Sequence, residues 1–183
     1  MVQLREKDLP TRELLALAVA LRETIGDRAS LTINGRADVA FAASADGVHL
    51  PADGLPTDGA RAALGRSFII GRSVHRVDEA ERAATEDVDY LELGTIFPSR
   101  SHPGGPVLGL GVLRSLTSVS LPILAIGGID AANAGAVIAA GAGGVAVIST
   151  ILRAPEPGNA ARALADTVHE AWSRRSRASG ADG

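Results

Sequence analysis

Two short turns in the last third of the sequence contain the residue types that bind a phosphate group. Gly127 and Gly128 follow the apolar run 122–126, and Ser149 and Thr150 follow a second apolar run. Glycine lets a backbone approach an anion closely, and aligned backbone N–H groups donate hydrogen bonds to it. The pattern therefore predicts a phosphate site at Gly127, Gly128 and Ser149. The alternative is that the two glycines only permit tight turns.

A second group of chemically active side chains lies at the amino terminus. Gln3, Arg5 and Lys7 alternate with the apolar Val2 and Leu4, and alternate residues of a strand share one face. In a parallel barrel strand, whose outer face is covered by helices, this pattern predicts that the three polar side chains point to the interior. There the two cations are expected to grip the anionic part of a substrate. The alternative is an exposed edge strand with solvated charges.

A third group lies in and after the run 90–94. Glu92 lies on the same face of the predicted strand as Tyr90 and Gly94, and this face is expected to point to the interior. We interpret Glu92 as a second catalytic candidate or as an ion-pair partner of the amino-terminal cations. The 15-residue loop 95–109 follows, and a loop of this length in a compact domain is usually functional. The loop contains a run of four consecutive polar side chains: Ser99, Arg100, Ser101 and His102. Because histidine titrates near neutral pH, His102 is the candidate proton shuttle; the alternative is a surface histidine. His49 and His75 are interpreted as structural.

The segments between these groups alternate between strand and helix patterns. Apolar runs predict seven strands, over residues 2–7, 30–34, 47–50, 67–71, 90–94, 122–126 and 145–148. Helical spacing of apolar residues predicts a helix after each of them. The alternation predicts an α/β fold, a (β/α)8 TIM barrel that lacks its first strand and helix. Either the numbered start misses that unit or the barrel is shortened. We expect a single domain over 1–177 and a disordered tail over 178–183.

The composition excludes several classes of function. The chain has 183 residues, of which 46% are hydrophobic, and its net charge of −3 gives no electrostatic basis for binding nucleic acid. No apolar run approaches the roughly 20 residues that span a bilayer, and no export signal is recognised. The absence of cysteine excludes disulfides and thiol chemistry. We therefore expect a cytoplasmic protein that binds neither nucleic acid nor membranes.

Eight ordered motifs resemble the family of thiamine-phosphate synthase and its paralogue, the TenI-type thiazole tautomerase. The motifs are VQLREK at 2–7, ING at 33–35, ADGVHLP at 45–51, GRSVH at 71–75, DYLELG at 89–94, FPSRSHPG at 97–104, AIGGI at 125–129 and GVAVIST at 144–150. The resemblance covers residue 2 to about residue 165. It implies a (β/α)8 barrel that binds its substrate at the carboxyl-terminal mouth of the strands.

The resemblance also implies roles for individual residues. The phosphate contacts of the family fall on Gly128, Ile148 and Ser149. The synthase motif that binds the pyrimidine diphosphate falls on Gln3, Arg5 and Lys7. Further substrate contacts fall on the asparagine after the second numbered strand and on the serine of the fourth, which are Asn34 and Ser73. The family segment T-x-T-K, which lies between both substrates, corresponds to Ser99, Arg100, Ser101 and His102.

Three departures from the synthase pattern determine the predicted activity. The family's two magnesium-binding aspartates are replaced by Gly35 and Gly54, and its diphosphate-binding lysine is replaced by His102. Displacing a diphosphate requires its developing negative charge to be neutralised. These departures favour the tautomerase, although Thr95 occupies the position of the catalytic histidine of a tautomerase of this kind.

The predicted main function is therefore a cofactor-free thiazole tautomerase that aromatises a carboxylated dihydrothiazole ethyl phosphate by proton transfer. The first alternative is a thiamine-phosphate synthase, a transferase that uses magnesium to join hydroxymethylpyrimidine diphosphate and thiazole phosphate. The second is a non-catalytic paralogue that binds a phosphate ligand. The expected partner is a small-molecule thiazole phosphate, and a homodimer is implied only by the resemblance.

Overall fold

The computed structural model describes residues 1–99 and 104–180, with side chains up to residue 177. Three of the predicted site residues, Arg100, Ser101 and His102, lie outside the described residues, so their roles stay predictions. The predicted single domain over 1–177 and the predicted disordered tail over 178–183 also stay predictions.

Strands and helices alternate along the described chain. The strands are β1 (Val2–Leu4), β2 (Leu31–Asn34), β3 (Gly47–Leu50), β4 (Ile69–Val74), β5 (Tyr90–Gly94), β6 (Ile123–Ile126) and β7 (Gly144–Ala146). The helices are α1 (Thr11–Ile25), α2 (Ala37–Ala42), α3 (Thr57–Leu64), α4 (Val77–Ala83), α5 (Gly111–Ser115), α6 (Ala134–Ala139), α7 (Ser149–Leu152) and α8 (Pro157–Gly180). A 3-10 turn, Gly26–Arg28, follows α1.

The strands are hydrogen-bonded in the order in which they occur in the chain, from β1 to β7. Parallel strands joined by helices are the pattern of a (β/α) barrel. The predicted fold class, a (β/α)8-type fold with seven of the eight units, is therefore confirmed. Within the part of the chain that the structure describes, every helix is too short or too polar to span a bilayer.

Three strands end differently from the sequence prediction. β4 covers Ile69–Val74, whereas a strand over 67–71 was predicted, so Arg72 and Ser73 belong to the strand and not to the loop after it. β1 ends at Leu4 because the carboxylate of Glu6 accepts hydrogen bonds from the backbone N–H groups of Lys7 (2.9 Å) and Asp8 (3.3 Å), which fold the chain into a turn. Arg5 and Lys7 therefore follow the strand rather than belong to it. β7 covers Gly144–Ala146 and is only half-buried, whereas a buried strand over 145–148 was predicted.

The residues form two compact units, each of which has its own core. The first comprises Met1–Ser73 and Ala83–Tyr90. Its strands β1 to β4 pair in parallel, and the apolar residues of the sheet pack with the buried faces of α1, α2 and α3. Fully or nearly fully buried members of this core are Leu31, Ile33, Val48, Leu50, Ile70, Leu14, Ala18, Val39, Ala40 and Ala60.

The second unit comprises Val74–Arg82 and the chain from Leu91 onward. β5, β6 and β7 pair in parallel there, and α6 packs against α8. In α6, Ala134, Val137 and Ile138 recur at helical spacing and are completely buried. The helix ends at Ala139, and Gly141 in the turn that follows adopts a φ of +119°, which favours glycine.

Candidate active site

Strand register places a row of polar side chains on one face of the first unit's sheet. Gln3 is in register with Thr32, and Asn34 is in register with His49. Paired residues, and residues two apart along a strand, share a face. Since His49 is in register with Gly71, Ser73 lies on this face as well. The polar row consists of Gln3, Thr32, Asn34, His49 and Ser73.

The structure brings together three of the substrate-binding residues predicted in this unit. The amide Nε2 of Gln3 donates a 3.3 Å hydrogen bond to Oδ1 of Asn34, and both side chains are half-buried. Ser73 belongs to the same row and is also half-buried. Arg5 and Lys7 are exposed beyond the end of β1. The positive charge of Arg5 contributes to the lowered pKa of His49, after the burial of the imidazole.

His49 connects the row to two hydroxyl groups. Its Nε2 atom lies 2.7 Å from Oγ of Ser73, and its Nδ1 atom lies 3.1 Å from the hydroxyl oxygen of Tyr90. The imidazole is completely buried, and Tyr90 is nearly so. Burial, followed by the positive charge of Arg5, lowers the pKa of His49 to about 4. At neutral pH the imidazole is therefore neutral, with one donor and one acceptor nitrogen.

In the second unit, the glycine pair lies against the segment that follows β5. Gly127 and Gly128 have φ angles of +101° and +63°, and the backbone N–H of Phe97 donates a 3.1 Å hydrogen bond to the Gly127 carbonyl. A β-carbon on Gly127 would lie 2.4 Å from Cγ2 of Thr95, and one on Gly128 would lie 2.5 Å from the Pro98 carbonyl oxygen. The glycines therefore permit both the turn and the close approach of residues 95–98.

The loops after β6 and β7 are joined by a hydrogen bond. Oγ1 of Thr150 donates to the carbonyl of Ile129 at 2.6 Å, and the side-chain amide of Asn133 donates to the carbonyl of Gly128 at 2.9 Å. The two turns predicted to bind phosphate are thus neighbours. Ser149 begins the short helix α7 and is half-buried, whereas Ile148 is 43% exposed.

The two remaining described candidates of the second unit are Glu92 and Ser99. Glu92 is only 9% exposed, and its register partner on β6 is Leu124. Its role as a catalytic residue or as an ion-pair partner stays a prediction. Ser99 is half-buried in the loop after β5. His75, interpreted as structural, donates from Nδ1 to the carbonyl of Gly94 at 2.8 Å.

The described residues do not fit a protein-held magnesium ion. Gly35 and Gly54 occupy the positions where the resemblance expects aspartates, and a β-carbon on Gly54 would lie 2.9 Å from Cδ of Pro51. A carboxylate side chain at residue 54 would thus require this turn to shift. Across residues 1–99 and 104–180, no group of three or more histidines or carboxylates is able to hold a metal.

A cavity of about 380 Å³ in the first unit is separate from the polar row. Its lining includes Thr57, Arg72 and Glu86 but none of the predicted site residues. Arg72 is adjacent to Ser73 on β4 and therefore lies on the opposite face of the sheet. Its Nε atom is 4.0 Å from a Glu86 carboxylate oxygen. This cavity belongs to the helix-covered side of the sheet.

No site role was assigned from the sequence to His49, which belongs to the polar row, or to Tyr90, which contacts His49. The signal for His49 was present, since it is the one polar side chain in the predicted strand 47–50 and lies between the buried Val48 and Leu50. Tyr90 had no such signal. Its contact with His49 depends on the fold, because 41 positions separate the two residues.

The family model described as thiamine monophosphate synthase matches residues 1–151. A thiamine-phosphate synthase from Methanoculleus marisnigri is 50% identical over 170 residues, which cover 91% of this chain and 81% of the relative. A thiamine-phosphate synthase from a Roseiflexus species is 44% identical over 180 residues, which cover 97% of this chain and 76% of the relative. Both relatives are named as enzymes.

A solved structure is also similar. It is described as thiamine phosphate pyrophosphorylase from Pyrococcus furiosus, and it superimposes with a TM-score of 0.84 at 37% identity, covering 92% of this chain and 82% of that one.

These comparisons correct the functional prediction. The tautomerase as main function is wrong, because the relatives that match nearly the whole chain are named synthases. The prediction gave decisive weight to departures at Gly35, Gly54 and His102. The similarity over some 170 residues outweighs three positions.

Proposed function

Because the chain belongs to the thiamine monophosphate synthase family, we propose that it acts as a thiamine-phosphate synthase. The reaction joins hydroxymethylpyrimidine diphosphate and thiazole phosphate. The bond between the pyrimidine methylene carbon and the diphosphate oxygen breaks, and the thiazole nitrogen supplies the electron pair of the new carbon–nitrogen bond. Inorganic pyrophosphate leaves with the electrons of the broken bond. The observation that carries the proposal is the identity to named synthases along nearly the whole chain.

The first unit supplies groups suited to the pyrimidine diphosphate. Arg5 and Lys7 are exposed beyond the end of β1, so a diphosphate is able to reach both cations. Their charges offset the negative charge that develops on the leaving group, which is the largest electrostatic demand of this reaction. Gln3, Asn34 and Ser73 offer amide and hydroxyl groups to the edge of the pyrimidine ring.

The second unit supplies groups suited to the phosphate of the thiazole. Exposed Gly128 and the start of α7 at Ser149 offer backbone N–H groups, and such groups bind phosphate without requiring a cationic side chain. The hydrogen bond from Thr150 to Ile129 keeps the two turns together. Gly127, Gly128, Ile148 and Ser149 are therefore assigned to this phosphate.

The described residues do not fit a protein-held metal ion, so the groups that act on the diphosphate are side chains of the protein. Magnesium is supplied in the assays only as the counter-ion of the diphosphate. Arg5 and Lys7 neutralise the negative charge of the leaving diphosphate.

The experiment incubates the full chain with both substrates and identifies the product by chromatography and mass. Thiamine phosphate is the expected product, and recovery of both substrates unchanged would overturn the proposal. Arg5→Ala and Lys7→Ala are each expected to lower kcat/KM for the pyrimidine diphosphate by about tenfold or more. The matched control is Arg12→Ala, which removes an exposed cation from α1 and is expected to leave both KM values unchanged.

A further inference from the structure

We propose that His49 is a positioning residue that fixes the direction of the Ser73 hydroxyl towards the pyrimidine ring of the substrate. The inference rests on the function proposed above and adds to it a residue that touches no substrate atom. His49 acts through Ser73, and Tyr90 in turn acts through His49.

Tyr90, His49 and Ser73 form a continuous hydrogen-bond network. The Tyr90 hydroxyl lies 3.1 Å from Nδ1 of His49, and Nε2 on the other side of the ring lies 2.7 Å from Oγ of Ser73. The two rings are 5.7 Å apart between centroids and inclined by 32°. Tyr90 and His49 are buried, whereas Ser73 is half-buried. The network therefore extends from the buried Tyr90 hydroxyl to the Ser73 hydroxyl, which a ligand is able to reach.

The tautomer of the imidazole determines which groups donate and which accept in the network of Tyr90, His49 and Ser73. When Nδ1 accepts the Tyr90 proton, Nε2–H donates to Ser73, and the Ser73 hydroxyl proton is available to a ligand acceptor. When Nδ1–H donates to Tyr90, Nε2 accepts the Ser73 proton, and Oγ of Ser73 is left to accept from a ligand donor. In either tautomer of the neutral ring, the Ser73 hydroxyl is held in one direction. The lowered pKa of His49 keeps the ring neutral at neutral pH.

This arrangement suits an aminopyrimidine in particular. Such a ring presents acceptor nitrogens beside an exocyclic amino donor, so its binding edge contains both polarities. A hydroxyl held in one direction distinguishes the correct edge of the ring from its alternatives, since a mismatched pair leaves a buried polar group without a partner. A freely rotating hydroxyl would provide less orientation.

Two amide substitutions at residue 49 separate positioning from simple packing. In His49→Gln the side-chain amide reaches the place of Nε2 and keeps the contact with Ser73. In His49→Asn the amide reaches only the place of Nδ1 and keeps the contact with Tyr90. The amides have the same chemistry and differ only in reach.

The measurement is steady-state kinetics of the full chain with each substrate varied in turn. We expect His49→Gln to keep KM for the pyrimidine diphosphate within about threefold of wild type and His49→Asn to raise it about tenfold. KM for the thiazole phosphate should not change in either variant. We also expect no further rise in pyrimidine KM when His49→Asn is added to Ser73→Ala, because a residue that acts through Ser73 has no effect once that hydroxyl is gone.

Tyr90→Phe provides a second test that keeps the ring and removes only the hydroxyl. It should raise the pyrimidine KM moderately, by about threefold, with an unchanged thiazole KM. The inference would be overturned if all variants kept wild-type turnover and an equal pyrimidine KM. Additive effects of the substitutions in the Ser73→Ala background would also overturn it. Either result would leave the proposed function intact. Absence of product from the wild-type chain would overturn the proposed function and the inference with it.

Discussion

The ring of Tyr90 occupies the space that a side chain at Gly71 would need. A β-carbon on Gly71 would lie 2.0 Å from Cζ of Tyr90 and 2.4 Å from its hydroxyl oxygen. Gly71 is in register with His49 on the neighbouring strand. The bare backbone of β4 therefore provides the space in which the phenol reaches the imidazole.

This close approach predicts the effect of Gly71→Ala. The added methyl group overlaps the Tyr90 ring, and displacement of a packed core side chain costs about 1–3 kcal/mol of the free energy of unfolding. Urea denaturation measures the change. The matched control is Gly59→Ala in α3, where the nearest atom to the new β-carbon is Cδ1 of Leu55 at 3.8 Å. The control should keep or slightly raise stability. Equal stability of Gly71→Ala and wild type would contradict the packing described.

The buried imidazole predicts how stability depends on pH. The pKa of His49 is about 4 in the folded chain and 6.5 in the unfolded chain. Between these values the unfolded state binds more protons, so the free energy of unfolding falls as the pH is lowered from about 6.5 to about 4. The full effect is about 3 kcal/mol. The desolvation of the ring is the main cause, and the nearby Arg5 cation adds to it.

His49→Gln should lose this part of the pH dependence because glutamine does not titrate. The check is the difference in the free energy of unfolding between wild type and variant, measured by denaturation from about pH 7 down to about pH 4. As the pH is lowered, the free energy of unfolding of the wild type should fall relative to that of the variant. Parallel curves for the two proteins would show that the imidazole is not held neutral.

The close packing around the glycine pair after β6 predicts that a substitution there selectively weakens binding of the thiazole phosphate. In Gly128→Ala the β-carbon would lie 2.5 Å from the Pro98 carbonyl oxygen at a φ of +63°, so the turn must shift away from its present geometry. We expect KM for the thiazole phosphate to rise about tenfold or more, with a smaller change for the pyrimidine diphosphate.

The control for that variant is Gly135→Ala in α6, whose new β-carbon meets only Cγ2 of Thr167, at 3.7 Å. It should leave both KM values unchanged. An equal rise for both substrates in Gly128→Ala would indicate general loss of structure, and no rise at all would remove this turn from the proposed phosphate site.

The glycines at residues 35 and 54 predict weak affinity for free magnesium. Calorimetric titration of Mg²⁺ into the substrate-free chain should give no saturable heat, because the described residues offer no carboxylate cluster. Saturable binding in the absence of substrate would contradict this account of the two turns.

The order of strands and helices was predictable from the sequence because the apolar runs are short and separated by clear helical stripes. β3 and β5 have the predicted bounds, since Gly47 and Gly94 mark ends of buried runs. β1 was predicted too long because a local turn made by the Glu6 carboxylate was not visible in the alternation of Arg5 and Lys7.

The site was less predictable than the fold. The proximity of Gln3 and Asn34 follows from the order of parallel strands. The contact of Tyr90 with His49 depends on the space above Gly71, which a sequence does not show. The activity was wrongly predicted because single departures, such as Gly35, were given more weight than similarity over the whole chain.

The most direct test of the central claim is the initial rate of inorganic pyrophosphate release by the purified full chain. We expect release when both substrates are present, with one thiamine phosphate formed for each pyrophosphate, and negligible release when either substrate is omitted. Release without the thiazole phosphate at the same rate, or no release with both substrates present, would contradict it.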